Sequence, residues 1–237
     1  GVVIAASSLG GRHREWLADA PLPIVLVNSV DQEIDLPSIA SDNRAGGALA
    51  AGHLTGLGHR RFGLIAAPAR NVDAADRLAG ARDALRAAGI DGAAVQVATG
   101  EAGVAGGERA AAEILDRDPT VTALTAYNDL MAIGAMRAIR AAGLRIPADV
   151  SVVGFDDVDL AAYVDPPLTT ISQSTAEMGH WAVDRLTREL ANRQAARGAG
   201  GEVGAEAEVG PEAEQGVDHV MLPVRLVIRG SSGPPRS

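Results

Sequence analysis

The sequence predicts an α/β protein built on parallel sheet, and three observations carry that expectation. Short β-branched runs alternate with Ala-rich stretches of helical length. The stretches before Gly58, Gly89 and Gly143 end at a residue able to take the left-handed cap conformation. Strands separated in this way by helices imply right-handed βαβ units. With 237 residues and 47% hydrophobic content, the chain is long and apolar enough to bury one large core or two.

The elements follow in order. Residues 2–6 and 24–27 read as buried strands, short, apolar and bounded by polar or turn residues. A helix over 43–57 follows Ser41-Asp42, and 62–66 is the next strand. A helix over 77–88 precedes a short strand at 95–98. A helix over 107–117 stops before Pro119 and leads to a strand at 121–126. The helix over 129–142 turns Leu130, Ile133, Met136 and Ile139 inward, and strands at 150–154 and 169–171 follow. Ser174 and Glu177 have capping-box spacing, opening a helix from 175 to about 191. Residues 192–216 are rich in Ala, Gly and Glu without apolar period, which predicts a flexible acidic loop. A strand at 220–228 and a Gly/Ser/Pro tail close the chain.

Composition excludes several functions. A net charge of −9 repels phosphate backbones, so the chain by itself is a poor nucleic-acid binder. Without cysteine there are no disulfides, thiolate metal sites or cysteine nucleophiles. All basic residues other than His are Arg, which we read as coding bias. No apolar run approaches the ~18 residues needed to span a bilayer, and no charged-then-apolar leader opens the chain. The first residues form a strand-like run without Met, so the beginning is expected to be missing. No phosphate-binding loop, G-x-G-x-x-G or G-x-S-x-G elbow occurs, and the five histidines lack metal-site spacing. Residues 156–159 lack the Gly and distal Glu of a calcium loop. The expectation is a protein that is not an enzyme and needs no cofactor or metal. Paired carboxylates for glycoside hydrolysis are the one catalytic arrangement the sequence leaves open.

Ligands of open parallel sheets bind beyond the carboxyl ends of the strands. Polar residues that follow strands are therefore candidates: Asn128 and Asp129, then Asp156, Asp157 and Asp159, then Gln173, and Arg77 after the loop 68–76. Carboxylate, guanidinium and amides together suit a polyol, because they accept from and donate to neighbouring hydroxyls. Each has a plainer reading. Asp129 reads first as a helix N-cap, Asp157 and Asp159 as solvated loop carboxylates, and Arg77 as half of a surface ion pair. Position divides Asp156 evenly between ligand contact and loop residue.

Several runs resemble one family. They are Ser41-Asp42-Asn43-Arg44-Ala45-Gly46-Gly47, Leu57-Gly58-His59-Arg60-Arg61, Arg77-Leu78-Ala79-Gly80 and Asn128-Asp129-Leu130-Met131-Ala132. Gly143 to Asp157, Pro166-Pro167-Leu168-Thr169-Thr170, Leu222-Pro223 and Leu226-Val227-Ile228-Arg229 continue the series. In this order they resemble the lactose/galactose-repressor (LacI/GalR) regulators.

The resemblance implies a type I periplasmic-binding-protein-like core of two α/β lobes with three crossovers, near Gly58, near Ser172 and just before Leu222. Lobe boundaries are then expected at 1–58 with 172–192, and at 59–171 with 220–230, leaving 193–219 as the loop and 231–237 as the tail. Arg77, Asn128 and Asp156 are implied as effector contacts in the cleft between lobes, with Gln173 near the hinge and Asp73 as a further candidate. A sugar or sugar-like polyol as effector, with a nucleobase as the alternative, a homodimer, a cytoplasmic location, no membrane contact and operator DNA reached only through an N-terminal headpiece complete the expectation.

The sequence also departs from the family. Gly1 begins at what resembles the third strand of the first lobe, so headpiece, hinge helix and two strands are lacking. The missing strand leaves a backbone edge unpaired, and weak effector binding or partial folding is expected of this chain. The aromatic ring that many members place after the strand at 95–98 is matched by Ala102, with Tyr127 as a candidate substitute. A secreted solute-binding protein of a sugar importer shares the fold and is the alternative.

Overall fold

The computed structural model describes residues 1–5, 15–17, 20–28, 36–68, 71–199 and 218–236. Strands β1 (Val2–Ala5), β2 (Ile24–Val27) and β3 (Ser38–Ser41) precede helix α1 (Asn43–Gly56). Then come β4 (Phe62–Ala66), α2 (Val72–Ala87), β5 (Val95–Thr99), α3 (Val104–Arg117), β6 (Ala123–Ala126) and α4 (Asp129–Ala141). The chain continues through β7 (Ser151–Val153), α5 (Leu160–Tyr163), β8 (Thr170–Ser172), α6 (Thr175–Ala199), β9 (His219–Leu222) and β10 (Arg225–Val227). It divides into two compact units, one of Gly1–Ser41 with Ser174–Leu222, the other of Asp42–Gln173 with Pro223–Ser237.

In the first unit four parallel strands lie in the order β1-β2-β3-β9. Apolar side chains of β2, Ile24 and Leu26, pack with Leu17, while Ile39, Met178 and Leu222 form a second buried group. At the sheet edge, β1 leaves Val2 37% and Val3 42% exposed. Helix α6 runs to Ala199, past the expected end near 191. Of the expected acidic loop, residues 200–217 lie outside the described residues.

The second unit holds a parallel sheet in the order β5-β4-β6-β7 and an antiparallel pair, β10-β8. Its core joins Ile114, Leu124, Met131, Met136, Ile139 and Val152, all with essentially no exposure. Leu130 is 40% exposed, so the inward face of α4 is carried by Met131, Ala135, Met136 and Ile139 instead.

The lobe boundaries differ from the expectation in three places. Helix α1 belongs to the second unit, so the first crossover falls at Ser41–Asp42 and not near Gly58. The reason is close helix packing. A Cβ on Gly47 would stand 2.0 Å from the Arg77 carbonyl oxygen, and one on Gly80 would stand 1.9 Å from that of Arg44. Only glycine permits the two backbones of α1 and α2 to approach so far. Ala50, Ala51 and Leu54 then join Phe62, Leu64 and Phe155 in one buried cluster.

The expected strand at 220–228 is two strands. Pro223 has no amide to donate to a ladder; β9 stops before it and pairs with β3 in the first unit, whereas β10 pairs with β8 in the second.

The tail is also structural. Ser231 is fully buried, its hydroxyl donating to Val152 O at 2.6 Å and accepting from Thr169 N–H at 2.8 Å. Gly233 N–H donates to Ser151 Oγ, and Gly233 O accepts from His59 Nε2 at 2.9 Å. With Nε2 donating, Nδ1 of that neutral ring accepts from Thr122 Oγ1 at 2.9 Å.

Candidate functional site

The loops and helix starts beyond β4, β6 and β7 meet in the second unit. Asn71 caps α2, its side chain accepting from Ala74 N–H, so the helix begins at Val72 and not at Arg77. That places Asp73 in the first turn and Arg77 one turn later on the same face. Asn128 caps α4 by accepting from Met131 N–H at 2.9 Å. The cap is therefore Asn128, and the expectation of Asp129 as N-cap is corrected. Past β7 the chain turns through Asp156 (φ 117) and Asp157 (φ 56), a backbone region that residues with a Cβ adopt rarely.

Arg77 is 8% exposed and organises the cluster. Its Nε donates to Asn43 Oδ1 at 2.7 Å, and its Nη1 to Tyr127 O at 2.7 Å and Asp156 Oδ1 at 3.2 Å. The guanidinium lies 3.5 Å from the Phe155 ring centroid and 4.7 Å from that of Tyr127, so two aromatic faces fix its plane. Gln173 Nε2 donates to the same Asp156 oxygen at 2.7 Å. Asn43 Nδ2 reaches Asp73 Oδ1 at 3.1 Å. Arg77, Asp156 and Gln173 are thus in direct contact, and Asp73 joins through Asn43. Asn128 stands beside the Tyr127 carbonyl that Arg77 holds.

Arg77 Nη2 and Asp156 Oδ2 have no partner among the described residues. They leave a donor pair and an acceptor for a ligand, the set that neighbouring hydroxyls require. Burial pushes the Asp73 carboxyl up to about 6, with Arg77 opposing and Asp76 and Asp156 adding to the rise. Burial also raises Asp156, opposed by Arg77 and Gln173.

A cavity of about 30 Å³ lies among Arg77, Tyr127, Phe155 and Gly47, room for one or two waters and far too small for a sugar ring. A wider hollow of about 310 Å³, lined by Arg82, Leu85, Arg86, Ile90, Val95 and Val97, shares no residue with the cluster.

Other candidates have structural partners. Asp157 Oδ1 accepts from Arg229 Nη2 at 2.6 Å, and Asp159 is exposed before α5. Tyr127 supports Arg77, and its hydroxyl accepts from Asn71 at 2.8 Å. Asn43 and Phe155 stand in the family-like motifs but were not singled out by position as site residues. An aromatic residue directly before a strand-end carboxylate was the available signal for Phe155.

The periplasmic binding protein-like domain matches residues 51–203. The HTH-type transcriptional regulator MalR of Streptomyces coelicolor is 39% identical over 200 residues, 79% of this chain and 58% of that protein. The chain belongs to the LacI/GalR family. Among solved LacI/GalR structures, the CelR–cellobiose complex superposes with a TM-score of 0.77 at 32% identity, covering 98% of this chain and 65% of that one. A ribose-bound family member from Enterococcus faecium gives 0.80 at 26% identity, covering 98% and 80%. The chain spans about half the length of the curated relatives it matches, 53% of the first and 58% of MalR. Arg77, Asn128, Asp156 and Gln173 fall within the matched residues 51–203.

Proposed function

We propose that this chain is the effector-sensing core of a sugar-responsive DNA-binding transcription regulator, a repressor in the simplest form. One observation carries the reading: Arg77, Asp156 and Gln173, far apart in sequence, form one polar cluster at strand ends with Arg77 Nη2 and Asp156 Oδ2 left for a ligand. The effector is a sugar or sugar-like polyol held at this cluster. Asp156 accepts from its hydroxyls, Arg77 donates to them, and Asn128, Gln173 and Asp73 complete the contacts. Relatives of this kind are named for a helix-turn-helix, and one with cellobiose and one with ribose support the ligand class.

The mechanism is a population shift. An effector that makes better contacts in one arrangement of the units than another favours that arrangement only by the difference in affinity. Two chains, paired as a homodimer, would pass the change to headpieces that alone touch operator DNA. A net charge of −9 fits a core that leaves DNA contact to another segment. Such a protein works in the cytoplasm, where the operator is. Among the described residues no helix is long and apolar enough to cross a membrane.

Isothermal titration with cellobiose, maltose and ribose tests the reading. At least one sugar should bind, and Asp156→Ala should weaken it by about 1–3 kcal/mol, the effect of losing hydroxyl contacts and stranding their partners. Binding by none of them, or unchanged affinity in the variant, would reject it.

A further inference from the structure

Asp129 is fully buried and has no place in the ligand set above. Nor does helix α4 need its carboxylate, because Asn128 already caps that end. What Asp129 holds is the turn that carries Asp156. Its N–H donates to Phe155 O at 2.8 Å, just before the turn, and its Oδ2 accepts from Val158 N–H at 2.9 Å, just after. Its Oδ1 accepts from Thr170 Oγ1 of β8. The two residues between those anchors, Asp156 and Asp157, are the pair with positive φ. Space for the carboxylate comes from Gly154, where a Cβ would stand 2.2 Å from Asp129 Oδ1.

We propose that Asp129 is a positioning residue, bracketing the Asp156–Asp157 turn from both sides and so aiming the Asp156 carboxylate at Arg77, Gln173 and the ligand. The inference rests on Asp156 as an effector contact. Arg229 is a second anchor, reaching Asp157 Oδ1 at 2.6 Å and Leu168 O at 2.9 Å, so the turn is pinned on its outer side as well. Asp129 differs from it in holding backbone amide and carbonyl on either side of Asp156. A backbone bracket sets φ and ψ, which decide where the carboxylate points.

The chemistry separates two substitutions. In Asp129→Asn one oxygen still accepts from Val158 N–H while the amide donates to Thr170 Oγ1. Asp129→Ala removes both contacts. The test uses the 237-residue chain and two readouts. Hydrogen–deuterium exchange needs no ligand: Asp129→Ala should speed exchange of the Val158 amide, which the carboxylate holds, by about tenfold or more, with the Asn variant close to wild type. Unchanged protection in the Ala variant overturns the bracket.

Cellobiose titration supplies the second readout, as a double-mutant cycle with Asp156→Ala. Asp129→Ala should weaken binding about tenfold, Asp129→Asn should restore it, and the double variant should bind no more weakly than Asp156→Ala. Full additivity, or an Ala variant that binds as wild type where Asp156→Ala does not, overturns the inference. If Asp156→Ala itself leaves affinity unchanged, or wild type does not bind, the effector reading fails at Asp156, and exchange still judges the bracket.

Discussion

Arg77 and Asp156, 79 positions apart in the chain, are joined by a 3.2 Å contact in which the guanidinium lies over the Phe155 ring beside the carboxylate. The stack and the three hydrogen bonds use the planarity of the guanidinium as much as its charge. Arg77→Lys keeps the charge but can neither stack flat nor donate in three fixed directions. We expect the Lys variant to lose about 1–3 kcal/mol of folding stability, since Asn43 Oδ1 and the Tyr127 carbonyl lose their donors. Urea unfolding measures it; a variant as stable as wild type would mean the cluster does not hold the helix.

Gly47 and Gly80 make a second prediction. A methyl group at either would meet backbone carbonyls of the facing helix at 2.0 Å and 1.9 Å, which cannot yield as a side-chain tip can. Gly47→Ala or Gly80→Ala should separate α1 from α2 and destabilise the second unit by about 1–3 kcal/mol or more, despite the higher helix propensity of alanine. Thermal melting shows the loss, and an alanine variant that melts at or above the wild-type temperature contradicts the packing described.

Asp129 gives a pH prediction. Burial pushes its carboxyl up to about 6 from an ordinary 3.8, opposed by the bonds from Thr170 and Val158. The folded state therefore keeps this proton where the unfolded chain gives it up. Stability from this group is highest below about pH 4, falls as pH rises to about 6, and is level above. Asp129→Asn removes that slope, so the variant should gain on wild type by on the order of 2–3 kcal/mol between pH 4 and pH 7. Urea midpoints across that range decide it, a constant offset being the contrary result.

His59 predicts the opposite slope. Burial, the first cause, and His53 lower its pKa while the bond to Gly233 O raises it; the net displacement is downward from 6.5. A base lowered on folding contributes stability that is present above about 6.5 and lost as pH falls through its folded value. The strap of residues 231–233 should therefore loosen on acidification, and His59→Ala should destabilise by about 2 kcal/mol or more, leaving a cavity, Thr122 Oγ1 without its ring partner and the Gly233 carbonyl with Ser151 Oγ alone. Trypsin cleavage after the half-buried Arg229 reports the release. Equal cleavage at pH 7 and pH 5.5 would count against it.

Strand and helix order was legible because β-branched runs and glycine stops mark elements locally, and Arg77, Asp156 and Gln173 were legible because strand ends mark them. What failed is what local pattern does not encode. Helix α1 has ordinary helix sequence, and its unit is set by contacts remote in the chain, the facing glycines of two helices and the packing of Leu54 with Phe62 and Phe155. Helix α2 starts five residues before the expected 77, because Asn71 supplies its cap. Asp129 reads as a helix N-cap because Asp is favoured there; its burial depends on Gly154, Val158 and Thr170, none near it in sequence.

The strap through Ser231 and Gly233, together with β9 and β10, sets an order of events during synthesis. Strand β9 joins one unit's sheet, and residues 225–233 supply hydrogen bonds of the other at Val152, Thr169 and His59. Both units thus wait on the same short stretch of polypeptide. While the ribosome is still translating, β3, β7 and β8 have open edges. A product lacking residues 219–236 would leave β3, β8 and the Val152 backbone without these partners, so one truncation would weaken both units at once.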